Sequence, residues 1–250
     1  MRWLLSMLCR SPERAETVSH AKSAPAAPLA LLEKDFPSEL AAFRGKRLLD
    51  FGSGWGFQSV AVAKLGADVL ALEMVAERRD FTLAEAKKAG VTLRSEALLP
   101  AQDRGQFDFV LSLDAMEHYS DPAFILKEMH LALRPGGRLL LSFGPPWYSP
   151  YGAHLRFMSP VPWIHLFFSE NALMEERRRF RSDGAKKFSE VEGGMNQMTV
   201  GRFERMLGSS GFSIERKKMK CVYRMNFLGW IPLVRELFVN EVSVVAVKRS

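Results

Sequence analysis

Between Lys46 and Gly56 the chain reads KRLLDFGSGWG, an apolar run closed by Asp50 and followed by glycines at 52, 54 and 56. Glycine reaches left-handed backbone angles without steric cost and lets a ligand press on the main chain. A helical pattern follows at once (Phe57, Val60, Ala61, Ala63, Leu65). The loop therefore ends in free amide N–H groups and the positive end of a helix, a setting for a nucleotide-type cofactor. A dinucleotide loop needs GxGxxG, with its third small residue five positions after the first. Position 57 is Phe, so the pattern here is Asp, one residue, then GxGxG. A second acid, Glu73, closes the apolar run ADVLALE 21 residues after Gly52. That is the distance at which βαβ folds place a ribose-binding carboxylate.

Asp114, Glu117 and His118, in LDAMEH, form the next cluster able to do chemistry. One reading is local: polar loop residues hydrogen-bond the backbone and cap the following helix. Another gives His118 general-base or substrate-orienting work, because an imidazole pKa of about 6.5 suits proton removal near neutrality. A third is a divalent cation held by hard carboxylates and one imidazole, but no fourth ligand is evident and we assign no metal. His154 follows a Gly-Ala turn among Tyr148, Tyr151, Arg156 and Trp163 and is a pocket candidate. His165, between Ile164 and Leu166, reads as a satisfied core residue. His20 and His130 receive no role.

The elements that must position these groups follow from periodicity. Strands are expected at about 46–51, 68–73, 91–96, 107–113 and 138–143, alternating with helices, which describes a parallel sheet with its ligand at the carboxyl ends of the strands. A helix is expected over 29–43 from the spacing of Leu32, Phe36, Leu40 and Phe43, and another over 199–207. Strands beginning at 212 and spanning 241–248 are expected after them. Residues 1–27, of which 10–27 are rich in Ser, Ala and Pro, read as a flexible lead, and 28–250 as one domain. Within it, 144–198 is an insertion on the substrate side, dense in Pro and aromatic residues and suited to an apolar pocket. The bulky stretch 225–239 reads as packing, with a cover for the substrate mouth, a subunit contact or a membrane contact as the other readings.

The 250 residues carry a net charge of +7 and 47% hydrophobic residues, enough for a large core. Cys9 and Cys221 give no disulfide framework and no metal-ligand spacing, so a reducing, cytoplasmic setting is the default. The basic runs EERRRFR (175–181) and RKKMK (216–220) would attract phosphates of nucleic acid or lipid, or form ordinary solvated surface. The N-terminal WLLSML is too short to span a bilayer, but with Arg2 and Arg10 beside it, it would suit a membrane interface.

The glycine loop, the strand-end Glu73, the runs FDFVLSLDAMEHYSDP (107–122) and LRPGGRLLLSFGPP (133–146), together about residues 35–146, resemble the class I S-adenosylmethionine-dependent methyltransferases. The resemblance implies a Rossmann-like, doubly wound, seven-stranded and mostly parallel α/β sheet with an antiparallel last strand. It implies that Asp50, Gly52, Ser53, Gly54 and Gly56 hold the methionine end of S-adenosyl-L-methionine and Glu73 the ribose, with Glu96, Ala97 and Leu113 against the rest of the cofactor. Glu96 stands where the family usually has Asp. DxxEH is also close to the ExxEH with which some members bind a cation. His118 and His154 are the catalytic candidates for in-line methyl transfer to a small-molecule or lipid-linked acceptor. An RNA methyltransferase fits the charge less well, since no base-flipping motif such as NPPY is present. A non-catalytic cofactor-binding protein is the remaining alternative, and the oligomeric state is left open.

Overall fold

The computed structural model of the chain describes residues 2–10, 27–191 and 193–249. Seven strands form one sheet: β1 Arg47–Phe51, β2 Asp68–Leu72, β3 Arg94–Glu96, β4 Phe107–Leu113, β5 Leu133–Phe143, β6 Phe212–Cys221 and β7 Val239–Lys248. Their order is β3-β2-β1-β4-β5-β7-β6. The pairs β1–β2, β1–β4, β2–β3 and β4–β5 are parallel, and β7 is antiparallel to both β5 and β6. Only the last strand is reversed, as the sequence implied. Strand order turns back between β1 and β4, the point beyond whose carboxyl ends such sheets bind ligands.

Successive residues of one strand feed opposite faces, because side chains alternate across a sheet. Leu49, Val110 and Leu141 join one buried layer with α6 (Pro122–Ala132) and α9 (Val200–Gly208). Leu48, Leu111 and Leu140 join the other with α4 (Phe57–Lys64) and α5 (Ala76–Lys88). Both helices of the first layer start on side-chain caps, Asp121 accepting from Phe124 N–H and Thr199 from Arg202 N–H.

Several expectations needed correction. The helix expected over 29–43 is split into α2 (Ala30–Asp35) and α3 (Pro37–Leu40). Pro37 lacks an N–H and drives Phe36 out of helical angles, to φ −133 and ψ 40. The periodic positions Leu32, Phe36 and Phe43 are nevertheless buried. The third strand is three residues long instead of six.

The expected flexible lead lies largely outside the described residues, at 11–26, with His20. Residues 2–10 do not behave as a lead. Helix α1 (Arg2–Leu8) buries Leu5 in a third apolar cluster built from the insertion, with α7 (Ile164–Phe167) and α8 (Glu170–Arg177). Ser159 Oγ donates to Leu8 O at 2.7 Å and Arg10 N to Met158 O at 2.8 Å. The stretch 225–239 is less packed than its composition suggests. It contains a 3-10 turn at Asn226–Trp230 and α10 (Val234–Phe238), while Phe227, Trp230 and Leu233 face solvent.

Candidate active site

Gly52, Gly54 and Gly56 adopt φ of 77, 56 and 70 degrees, the left-handed region their type permits. Their surroundings differ. A Cβ on Gly56 would lie 2.2 Å from Thr82 Oγ1 of α5, so this glycine serves close packing between the loop and the helix. A Cβ on Gly54 would meet nothing within 4 Å, so the main chain there is open to a ligand.

Glu73 crosses from the end of β2 to that loop. Its Oε2 accepts from Gly54 N–H at 3.1 Å and its Oε1 from Val75 N–H at 2.9 Å. Arg79 Nη1 donates to the carbonyls of Glu73 and Met74, both at 2.8 Å, and Glu73 N–H donates to Glu96 O at 3.0 Å. One carboxylate is thus fixed between two loops with lone pairs to spare. The backbone link also brings Glu96 and Ala97 beside it; the Glu96 side chain is exposed. Met74 and Leu98, which follow Glu73 and Ala97 directly, are exposed apolar side chains at the same edge. Sequence reasoning passed over this apolar rim, whose signal was the position of each residue just after a strand-end pair.

Asp50 is buried at the end of β1, and Ser59 Oγ of α4 donates to its Oδ2 at 2.5 Å. Burial raises its pKa to about 6, against which the Ser59 bond works. The hydroxyls of Ser53 and Ser95 are buried without a hydrogen-bond partner among the described residues. Buried polar groups are rarely left so; Ser53 lies on the glycine loop and Ser95 in the short strand β3. Tyr119, also missed from sequence, braces the loop by donating to Phe51 O at 2.8 Å. Leu113 closes β4 and packs on the layer that contains Leu111.

The loop after β4 carries the second half of the site. Asp114 (φ 50) accepts from Ser142 Oγ at 3.2 Å. Glu117 is buried and accepts from Gly144 N–H at 3.0 Å through Oε1, while its Oε2 has no donor among the described residues. Burial raises its pKa to about 7. His118 Nδ1 lies 2.7 Å from Gly194 O. A carbonyl only accepts, so Nδ1 carries a proton and the neutral ring keeps its lone pair on Nε2.

Asn196 ties the insertion to this loop. Its side-chain amide donates to Met116 O and Tyr119 O at 2.8 Å each, and its N–H donates to Glu117 O at 2.9 Å. His154, at φ 54, meets His118 edge to face with ring centroids 5.5 Å apart. The two sequence candidates are therefore neighbours.

Asp114, Glu117 and His118, the groups weighed as cation ligands, reach in different directions, to Ser142, Gly144 and Gly194. No three His, Cys, Asp or Glu side chains among the described residues could share a metal ion. His165 Nε2 donates to Trp147 O at 2.6 Å and is a core residue, as its sequence context indicated.

The basic runs are largely spent within the fold. Arg216 pairs with Glu39, Lys217 with Glu204, and Lys220 with Asp35 and Glu241. Arg177 pairs with Asp183 and Arg179 with Glu176.

Residues 49–141 match a family described as "Methyltransferase domain". The ubiquinone biosynthesis O-methyltransferase of Xanthomonas campestris pv. campestris is 35% identical over 112 residues, 43% of this chain and 47% of that protein. The matched part thus spans about half the length of that curated relative. Among solved structures, an S-adenosylmethionine-dependent methyltransferase from Mesorhizobium loti superposes with a TM-score of 0.55 at 22% identity, over 90% of this chain and 100% of its own. The cyclase SpnF superposes with a TM-score of 0.56 at 14% identity, over 85% and 79%. The fold is common to both structures and their stated chemistries differ, so function must be argued from the site. Residues 49–141 are thus similar to a methyltransferase domain, on a sheet whose fold is shared with both solved structures.

Proposed function

We propose that the protein is an S-adenosylmethionine-dependent methyltransferase acting on a small-molecule or lipid-linked acceptor. The observation that carries this reading is the Glu73 carboxylate, held between the Gly54 and Val75 amides at the carboxyl end of β2, beside the glycine loop that follows β1. Two carboxylate oxygens in that position suit a ribose diol, and the unpartnered Ser53 and Ser95 hydroxyls suit further polar groups of the same ligand. Asp50 with Gly52, Ser53, Gly54 and Gly56 would hold the methionine end. Glu96, Ala97 and Leu113 would line the remainder, beside the exposed Met74 and Leu98.

S-adenosylmethionine supplies a methyl group already activated on a sulfonium, so alignment is the protein's main contribution, worth about 7–11 kcal/mol. The loop after β4 and its Asn196 strap provide that alignment for an acceptor. His118, with Nε2 unprotonated, takes the acceptor's proton, and His154 orients the acceptor against it. The name of the Xanthomonas relative supports an oxygen as the methylated atom. Internal pairing of Arg216, Lys217 and Lys220 weighs against RNA as the acceptor. Among the described residues no helix is long and apolar enough to cross a membrane.

Calorimetry tests the cofactor: S-adenosylmethionine and S-adenosylhomocysteine should bind and NAD should not. Isotopically labelled donor methyl groups then identify the acceptor in a metabolite extract. Absence of S-adenosylmethionine binding would overturn the reading.

A further inference from the structure

Three elements outside the site turn apolar side chains to solvent. On α1, Leu5 points inward while Trp3 (75% exposed), Leu4 and Met7 point out. On α7, Ile164 is buried and Phe167 (73%) is out. In the segment 222–238, Trp230 (82%) and Leu233 (85%) are nearly free of the fold. A single exposed leucine is ordinary, but two tryptophans, a phenylalanine and a leucine at such exposure are not.

The elements adjoin one another. Leu5 shares its cluster with Ile164 and Phe168, and the Trp163 ring, just before α7, meets Phe238 of α10 at 6.0 Å. Segment 222–238 is also anchored from beneath. Asn226 Oδ1 accepts from Cys221 N–H at 2.9 Å, and Glu236 accepts from the Val200 and Gly201 amides at 2.9 and 2.7 Å. Tyr223 and Leu233 hold left-handed angles, φ 55 and 70, that their side chains disfavour. The outward side chains are therefore presented by a fixed scaffold.

Charge identifies the partner. Residues 2–10 and 161–168 contain no acid, and the single acid of 222–238, Glu236, is used to cap α9. Arg224 is exposed within segment 222–238, and beside α1 the exposed Arg178 that ends α8 is matched by the exposed Glu175 of that helix, in a chain of net charge +7. Two copies of such a chain repel each other, whereas an anionic bilayer attracts both the arginines and the interfacial tryptophans. We propose that α1, α7 and segment 222–238 form a surface that rests on anionic phospholipid bilayers, with Trp3, Phe167, Trp230 and Leu233 entering the headgroup layer. The docking is independent of methyl transfer. It would set the insertion that carries His154 beside the lipid, within reach of an acceptor with an apolar tail.

Flotation of the full chain with vesicles tests this, using phosphatidylcholine alone and equal parts phosphatidylcholine and phosphatidylglycerol. Binding to the anionic vesicles should exceed binding to the neutral ones and fall as salt rises. It should weaken at least about tenfold in a Trp230→Ser, Leu233→Ser double variant, and in a Trp3→Ser, Met7→Ser variant, both with unchanged circular dichroism and melting temperature. Three results would overturn the proposal: no vesicle binding, binding indifferent to both variants, or a concentration-dependent dimer in sedimentation velocity that the same substitutions abolish. No cofactor is needed, so failure here is separable from failure of the methyltransferase reading.

Discussion

His118 and His154, 36 residues apart in sequence, meet edge to face with ring centroids 5.5 Å apart. The contact is held by the Gly194 carbonyl, which fixes the proton of His118 on Nδ1. With Nε2 as the base, His118→Ala should lower turnover by about 10²- to 10⁴-fold and leave calorimetric affinity for S-adenosylmethionine nearly unchanged. His154→Ala should lower turnover or raise the acceptor's KM, again without effect on the donor. Full activity in His154→Ala would remove that residue from the site and leave alignment around His118.

Glu73 offers a separate test of the donor pocket. Glu73→Ala should weaken S-adenosylmethionine binding by about 1.5–3 kcal/mol, the range for hydrogen bonds to a charged group. Glu73→Gln keeps one acceptor oxygen for the Gly54 or Val75 amide and should lose less. Equal affinity in Glu73→Ala and the parent chain would sink the ribose assignment.

Gly56 tests the loop's packing through stability alone. An added methyl would meet Thr82 at 2.2 Å on a backbone at φ +70, combining overpacking with left-handed strain. Gly56→Ala should destabilise the fold by about 2–4 kcal/mol in urea titration. Gly54→Ala, with open space around it, should cost only the strain, about 1–2 kcal/mol. Similar losses at both positions would contradict the division of roles.

What the sequence disclosed and what it hid have physical causes. The strands and the glycine loop were legible because burial on both faces leaves continuous apolar runs, and because three closely spaced glycines mark a backbone with φ above +50 that other residues adopt only at a cost. Glu73 was legible because strand-end spacing is set by the βαβ repeat. The approach of His154 to His118 was not, because it joins two loops 36 residues apart; nor was the hold of Asn196 on Met116 and Tyr119 from nearly 80 residues away. Helix α1 was hidden for a similar reason: Leu5 is buried by residues of the insertion that composition cannot assign to it. Composition also misled at 225–239, where bulky apolar residues read as packing and Trp230 and Leu233 face outward.

Activity should survive chelation. Asp114, Glu117 and His118 are each engaged with a different partner, and gathering them around one ion would break all three bonds. Turnover measured in excess chelator should match turnover with added magnesium or manganese. Activity that vanishes with chelator and returns with metal would require the loop to rearrange.

Glu117 predicts a pH-dependent stability. Burial, partly opposed by the Gly144 N–H, raises its pKa from the ordinary 4.5 to about 7. The folded chain then holds this proton more tightly than the unfolded chain does, so between those two values the native state binds more protons. Stability contributed by the group is full below about 4.5 and is lost as pH rises through 7, by at most about 3 kcal/mol at 1.36 kcal/mol per unit. Asp50 acts in the same direction, from 3.8 to about 6. Glu117→Gln keeps the shape and the acceptor for Gly144 while removing the charge. Its melting temperature should therefore gain on the parent chain's as pH climbs from 5 to 8, with the advantage levelling off above neutrality. A difference that stays constant across that range would mean that Glu117 ionises in the folded chain as readily as in water, and that its unpartnered oxygen is in fact solvated.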